Sequence, residues 1–307
     1  MKHERLGKTD LKVSRITFGC WELGGGPWEF TSDETNVRAL QTAFENGITT
    51  FDTAEGYGDG HSEEIVGKAL KGIRKNCIIA TKVSPKNLRA KDVRASIEGS
   101  LKRLGTDYVD LYYIHWPNEE IPIEETMSEF NKLKKEGLIK AIGVSNFSLA
   151  QLKKALELGR IDAIQPEYSL LQRDIEGGLL QFCIENSISV LSYSSIAKGI
   201  LTGAFHLGGI KVSESDFRRT RRLFLPEHME KETELIYLMK EIADAKKTTL
   251  SQIAISWLLH QKGLTSAIVG TQSEKHLIEN IKSVDVELSA DELKKLDAVS
   301  SKVLSSL

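Results

Sequence analysis

Four side chains in the first half of this chain have types suited to proton chemistry at a polar bond: Asp52, Tyr57, Lys82 and His115. Asp52 and Tyr57 lie in the glycine-rich run FDTAEGYG, Lys82 stands near the end of IIATKV, and His115 follows YVDLYYI. A free phenol titrates near pH ~10, too high for efficient proton exchange at neutral pH. An adjacent ammonium favours the phenolate and lowers that value, and a buried carboxylate beside the ammonium keeps it charged. Asp52, Lys82 and Tyr57 thus suit a relay in which Tyr57 exchanges a proton with a carbonyl or an alcohol. His115 suits donation of a hydrogen bond to the substrate oxygen, stabilising charge that develops there. In such chemistry a cofactor supplies the hydride. Singly, each residue has an ordinary structural reading: Asp52 as a turn cap, Tyr57 as packing, Lys82 as a snorkelling chain and His115 as a core histidine. Their joint occurrence at equivalent strand ends is what argues for a site.

Such convergence requires a frame that gathers distant segments. Short apolar runs rich in β-branched residues recur, each followed by a longer segment of helical periodicity, the alternation of βα units. Eight read as strands: Ile16–Cys20, Thr49–Thr53, Cys77–Val83, Tyr108–His115, Ala141–Ser145, Ala163–Pro166, Ser189–Tyr193 and Ala267–Gly270. Most look buried on both faces, as parallel strands are. Asp33–Asn46, Ser62–Leu70, Lys91–Leu104, Ile123–Lys135, Leu149–Leu158 and Gly178–Glu185 read as helices, with Gly47, Gly105, Gly137 and Gly159 as C-terminal caps. The pattern predicts one α/β domain over residues 1–307, a closed (β/α)8 TIM barrel. Functional groups of such barrels sit at the C-terminal strand ends. Neighbouring strands lie ~5 Å apart, so the mouths of the second, third and fourth would bring the four side chains together. Two additions break the alternation. His3–Leu6 and Leu11–Val13, joined by GKTD, read as a β-hairpin plugging the barrel floor. A long seventh βα loop, from about Ser194 to Lys231, carries Gly208–Gly209 and the basic cluster RRTRR at Arg218–Arg222, and reads as a lid or as solvated surface.

The 41 basic and 43 acidic residues nearly cancel, for a formal net charge of −2. No strong field favours nucleic acid or an anionic membrane, and a small molecule is the expected partner. Cys20, Cys77 and Cys183 are widely spaced with no CxxC pair, so they read as reduced thiols, and no metal site is expected. The N-terminal MKHERLGKTDLKVS has no apolar core, and no apolar run approaches the roughly 18 residues of a membrane span. A cytoplasmic location is expected.

FDTAEGYG, the lysine of IIATKV, YVDLYYIHWP and IGVSNF, in this order and spacing, resemble the aldo-keto reductases, a superfamily that also contains nicotinamide-bound potassium-channel β-subunits. The likeness extends from LGKTDLKVSRITFGCW to GTQSEKHLIENIKSVDVELSADELKKLD. It implies a catalytic tetrad of Asp52, Tyr57, Lys82 and His115, with Tyr57 as acid/base, in an enzyme that acts as a monomer. It implies that Ser145, Asn146 and Gln165 hold a nicotinamide carboxamide, that Tyr193 stacks on the ring, and that Glu279 and Asn280 contact adenine. Trp21, Ser194, Gly270 and Gln272 complete the implied cofactor set. No GxGxxG opens the chain, in keeping with a cofactor extended across barrel loops.

The sequence departs from the NADPH-preferring pattern in the loop after the eighth strand, where Lys275 and His276 are the candidate cations for a 2′-phosphate. Arg218 and Arg219 of the seventh loop are expected to supply the missing charge, favouring NADP(H), with NAD(H) as the alternative. Trp21, Trp28 and Trp116 are expected to line an aromatic substrate mouth, which accepts aldehydes, ketones and sugars alike. Two other functions compete: a nicotinamide-bound redox-sensing subunit with little turnover, and an aldolase forming a Schiff base at Lys82. The second requires a neutral lysine, which Asp52 opposes.

Overall fold

The computed structural model describes residues 1–25, 31–214 and 216–307. A two-stranded antiparallel hairpin, β1 (His3–Arg5) and β2 (Lys12–Ser14), precedes β3 (Ile16–Gly19), β4 (Thr50–Asp52), β5 (Ile78–Val83), β6 (Val109–Ile114), β7 (Ile139–Ser145), β8 (Ala163–Gln165), β9 (Ser189–Ser192) and β10 (Leu264–Gly270). The last eight are parallel and close into a barrel in the order β10-β3-β4-β5-β6-β7-β8-β9. The connecting helices are α1 (Asp33–Glu45), α2 (His61–Leu70), α3 (Ala90–Leu104), α4 (Ile123–Glu136), α5 (Leu149–Leu158), α6 (Leu179–Asn186), α7 (Pro226–Lys246), α8 (Leu250–His260), α9 (Glu274–Ile281) and α10 (Ala290–Ser306). The expected (β/α)8 barrel is therefore present. Helices α7 and α10 pack on each other, and α7 also packs on α8.

Strand alternation decides what fills the barrel. Ala80 on β5, Leu111 and Tyr113 on β6, Ala141 on β7, Ala163 on β8 and Leu191 on β9 form one interior cluster, while the intervening Ile79, Tyr112, Ile142, Ile164 and Val190 join the core under the helices. Gly143 shares the inward parity of Ala141, and a Cβ there would collide with the Tyr113 ring, so this glycine makes room for an inward tyrosine. Leu6 and Val13 of the hairpin complete the interior cluster. Ser14 Oγ accepts from the Thr49 and Thr50 N–H groups at 3.3 Å each, and the Gly7 N–H donates to Ser189 Oγ at 2.8 Å. These contacts tie the hairpin to the N-terminal ends of β4 and β9, so it closes the floor as expected.

Two expectations need correction. The seventh loop ends at Leu225, not Lys231, because Pro226 occupies the first position of α7, where its fixed φ and missing N–H suit a helix start. Gly47, Gly105 and Gly137 end their helices with positive φ, but Gly159 is extended at φ 169. A Cβ at Gly159 would stand 2.8 Å from the Asn131 amide, so close approach, not a left-handed cap, is its constraint.

Candidate active site

The same alternation that aims Ala80, Tyr113, Gly143, Ala163 and Leu191 inward applies two residues further on. It gives inward parity at the mouth to Lys82, His115, Ser145, Gln165 and Tyr193, alongside Asp52 at the end of β4. Tyr57 arrives from the loop after β4. That loop is fixed at both ends: Thr53 Oγ1 pairs with Ser62 Oγ at 2.8 Å, Ser62 Oγ donates to the Cys20 carbonyl at 2.7 Å, and the Ser62 N–H donates to the Tyr57 carbonyl at 3.2 Å. Gly24 and Gly58 let two loops touch here. A Cβ on Gly24 would lie 2.7 Å from the Tyr57 carbonyl carbon, and Gly58, at φ +59, abuts the Gly24 carbonyl.

The structure brings the four expected residues together. Lys82 is fully buried and spends all three ammonium hydrogens: on Asp52 Oδ1 at 2.6 Å, the Thr53 carbonyl at 2.8 Å and Tyr57 Oη at 3.2 Å. Burial alone would lower the lysine pKa, but Asp52 and Tyr57 outweigh it and hold Lys82 above its ordinary value. An ammonium so satisfied is poorly suited to Schiff-base chemistry. His115 meets Tyr57 edge to face, with ring centroids 5.6 Å apart. Burial, then the Lys82 charge, pushes the imidazole down to about 3, so it is neutral at working pH. For Tyr57 the expected lowering is not met. Burial raises the phenol above its ordinary value and outweighs the opposing pull of Lys82, while Asp52 adds to the rise. An ammonium already neutralised by Asp52 returns less than desolvation of a phenolate costs. Tyr57 accordingly holds its proton at neutral pH.

A continuous chain of hydrogen bonds leads away from Asp52. Gln165 Nε2 donates to Asp52 Oδ2 at 2.7 Å, Ser145 Oγ to the Gln165 carbonyl at 2.8 Å, Asn146 Nδ2 to Ser145 Oγ at 3.0 Å, and Tyr193 Oη to Asn146 Oδ1 at 2.8 Å. Asn146 Nδ2 also reaches the His115 carbonyl at 3.0 Å. Ser145, Asn146, Gln165 and Tyr193 thus form one connected group beside the tetrad. The amide of Gln165 serves Asp52, a partnership that sequence reasoning did not foresee. Ser194 follows at φ 54 and its Oγ accepts from Lys198 Nζ at 3.0 Å. Gly270 closes β10 next to Gly19, leaving bare backbone at the mouth, and Gln272 Nε2 donates to the Glu22 carbonyl at 3.0 Å. Asn280 is buried, the Glu279 carbonyl accepts from Gln252 Nε2 at 2.9 Å, and His276 is exposed on the first turn of α9. Arg218 is chelated by Asp216, with Nη2 to Oδ2 at 2.6 Å, and Arg219 is exposed. Trp21 lies 6.4 Å from the Tyr57 ring, Trp116 is half exposed beside His115, and Trp28 falls outside the described residues.

A model of the aldo/keto reductase family matches residues 15–301. The chain belongs to that family. It is 34% identical over 94% of its length to an NADH-specific methylglyoxal reductase of Escherichia coli, covering 95% of that protein. The glycerol dehydrogenase of Gluconobacter oxydans superposes with a TM-score of 0.89 at 31% identity, over 98% of this chain and 96% of the other. A Klebsiella pneumoniae aldo-keto reductase crystallised with NADPH superposes with a TM-score of 0.80 at 30% identity, over 97% and 95%. Membership bears out the expected activity class, an oxidoreductase acting on carbonyl and alcohol groups with a nicotinamide dinucleotide.

In this aldo/keto reductase the structure adds residues that sequence reasoning passed over. Phe217 of the seventh loop meets Trp21 edge on, with centroids 5.8 Å apart, so the loop reaches the aromatic mouth. Its root is tightly wound, with Ser194, Ala197 and Lys198 all at positive φ. Lys198 Nζ bridges to Glu167 Oε1 at 2.7 Å, and its carbonyl accepts from Arg218 Nη1 at 3.3 Å. The Asp216-x-Arg218 spacing was the one local signal available for this arrangement. Among the described residues no group of side chains is arranged to hold a metal, and no helix is long and apolar enough to cross a membrane.

Proposed function

We propose that this aldo/keto reductase reduces a small aldehyde or ketone, or oxidises the corresponding alcohol or sugar, with Tyr57 as the group that donates or accepts the proton. The observation that carries the reading is the ordered contact of Asp52, Lys82 and Tyr57 in a buried site, with His115 at the phenol edge. In reduction, Tyr57 gives its proton to the carbonyl oxygen. The raised phenol value keeps that proton available across the neutral range. The charged Lys82 stabilises the phenolate that forms, and Asp52 keeps Lys82 charged. Neutral His115 donates one N–H to the substrate oxygen and orients it without competing for the proton.

The residues around the tetrad suit an extended nicotinamide dinucleotide, which when bound supplies or accepts the hydride at the substrate carbon. Tyr193 would offer its ring face, and Ser145 and Asn146 would offer a hydroxyl and an amide to the carboxamide, held in place by the chain back to Asp52. Trp21, Ser194, Gly270 and Gln272 would border the middle of the cofactor, with Glu279 and Asn280 at the adenine. Arg218, Arg219 and His276 would border the adenosine phosphate, and the two guanidiniums favour NADP(H) over NAD(H). Trp21 and Trp116, with Phe217 opposite, would form the aromatic mouth. Residues 1–307 are proposed to act as one domain and as a monomer in the cytoplasm.

Initial rates with aldehydes, ketones, keto sugars and polyols, in both directions and with both dinucleotides, test the proposal. Turnover of at least one carbonyl with higher kcat/KM for NADP(H) is the expected result. Binding of a dinucleotide with no turnover across that panel would overturn the enzymatic reading, and a preference for NAD(H) would overturn the cofactor assignment.

A further inference from the structure

One acid at the mouth of the barrel takes no part in the proton chemistry above. Glu22 follows Trp21 in a single turn, Glu22–Gly24, immediately after β3. Its carbonyl holds Gln272 Nε2 at 3.0 Å, and its Oε1 lies 3.3 Å from the point where a Cβ on Gly270 would stand. Gly270 and Gln272, both uncharged, face it from the β10 side. Arg218 is the charged group that acts on it from the seventh loop, and that guanidinium is already chelated by Asp216. Gly270 and Gln272 are assigned above to the middle of the dinucleotide, where its pyrophosphate carries negative charge, and Arg218 to its adenosine phosphate. A carboxylate there, with a cation already paired elsewhere, would repel the phosphates in a partly desolvated cleft. Neutralising the carboxyl is the less costly arrangement.

We propose that Glu22 takes up one proton when the dinucleotide binds, so that cofactor affinity depends on pH through a residue outside the hydride and proton transfer. This rests on the cofactor site proposed above. Burial already pushes the free carboxyl up to about 7, with Arg218 opposing. The group is therefore divided between its two forms near neutrality and neutral in the complex. Affinity is then full below about pH 7 and falls by up to about tenfold per unit above it.

Titration calorimetry of the wild-type protein with NADP+ and with NAD+ at pH 8, in buffers of different ionisation enthalpy, reads the uptake directly. About one proton taken up per dinucleotide is expected, with Kd rising nearly tenfold from pH 7.5 to 8.5. That window lies above the titration of a phosphate monoester near pH ~6, so the 2′-phosphate of NADP+ does not contribute. Glu22→Gln should show no uptake and a flat Kd over the same window. Buffer-independent heats in the wild type, uptake retained in Glu22→Gln, or weaker binding by Glu22→Gln at pH 8 would each overturn the inference. Failure of both dinucleotides to bind the wild-type protein would instead overturn the cofactor reading, and this one with it. The wild-type measurement needs no variant, so a poorly folded substitution leaves the test intact.

Discussion

Removal of a single oxygen, by Tyr57→Phe, tests the proposed chemistry most sharply. The ring stays, and with it the contacts to Trp21 at 6.4 Å and His115 at 5.6 Å, so the pocket keeps its shape. What goes is the proton donor and the 3.2 Å bond from Lys82 Nζ. Losing a positioned general acid costs roughly 10²–10⁴ in rate, or about 3–5 kcal/mol in the barrel's activation free energy for reduction. Lys82 also loses one of three acceptors in a fully buried position, which costs about 1–3 kcal/mol of folding stability. The variant should thus fold, bind the dinucleotide within about threefold of wild type, and reduce the carbonyl orders of magnitude more slowly. Single-turnover loss of reduced-nicotinamide absorbance isolates the chemical step, and quenching of protein fluorescence gives cofactor affinity. A single-turnover rate within about tenfold of wild type would refute the role of Tyr57. An equal loss of cofactor affinity would show that the phenol serves binding instead.

Four further outcomes follow from the same geometry. Asp52→Asn strips the counterion from buried Lys82, so a loss of about 3–5 kcal/mol is expected, lowering Tm by on the order of 10 °C; calorimetric melting within about 2 °C of wild type would contradict it. With His115 pushed down to about 3 and Tyr57 raised, kcat for reduction under saturating cofactor should hold steady between pH 5 and 8, its alkaline loss lying beyond pH ~10. An acidic limb near neutrality that persists in Glu22→Gln would count against a neutral His115. Glu232 on α7 is fully buried with neither oxygen hydrogen-bonded, and burial pushes it up to about 8 against the pull of Arg222, with His206 Nε2 at 3.6 Å. Its stabilising protonated form is present in full below about pH 4.5 and lost as pH rises through 8, at up to about 1.4 kcal/mol per unit. Melting curves should therefore show Glu232→Gln gaining on wild type as pH rises through that window, and parallel curves would refute this. Gly58→Ala, at φ +59 against the Gly24 carbonyl, should displace Tyr57 and lower both Tm and kcat; unchanged values would show that the two loops yield freely.

Much of the site was legible in the chain because a barrel strand is short, apolar and followed by a polar residue at a fixed end. Asp52, Lys82 and His115 each stand at or near the end of such a run, and the structure places them at the C-terminal ends of neighbouring strands β4, β5 and β6, His115 directly after β6. The hairpin was legible for the same reason, since GKTD separates two segments too short to be anything but a turn-linked pair. The extent of the seventh loop was not, because α7 begins with polar residues whose helical state is set by Pro226 and by packing on α8 and α10. Gln165 was read as a cofactor ligand, and nothing local in the chain foretold that its amide also meets Asp52, a contact between residues 113 positions apart.

Residue type and spacing alone determined which groups reach the mouth of the barrel, because alternation along a strand and the order of strands are local properties. They also determined that a phenol, an ammonium, a carboxylate and an imidazole would be among them. Only the tertiary structure decided the charge each one carries. Tyr57 keeps its proton because burial outweighs Lys82, and Lys82 stays charged because Asp52 outweighs burial. These balances depend on distances and desolvation that exist only once the barrel has closed.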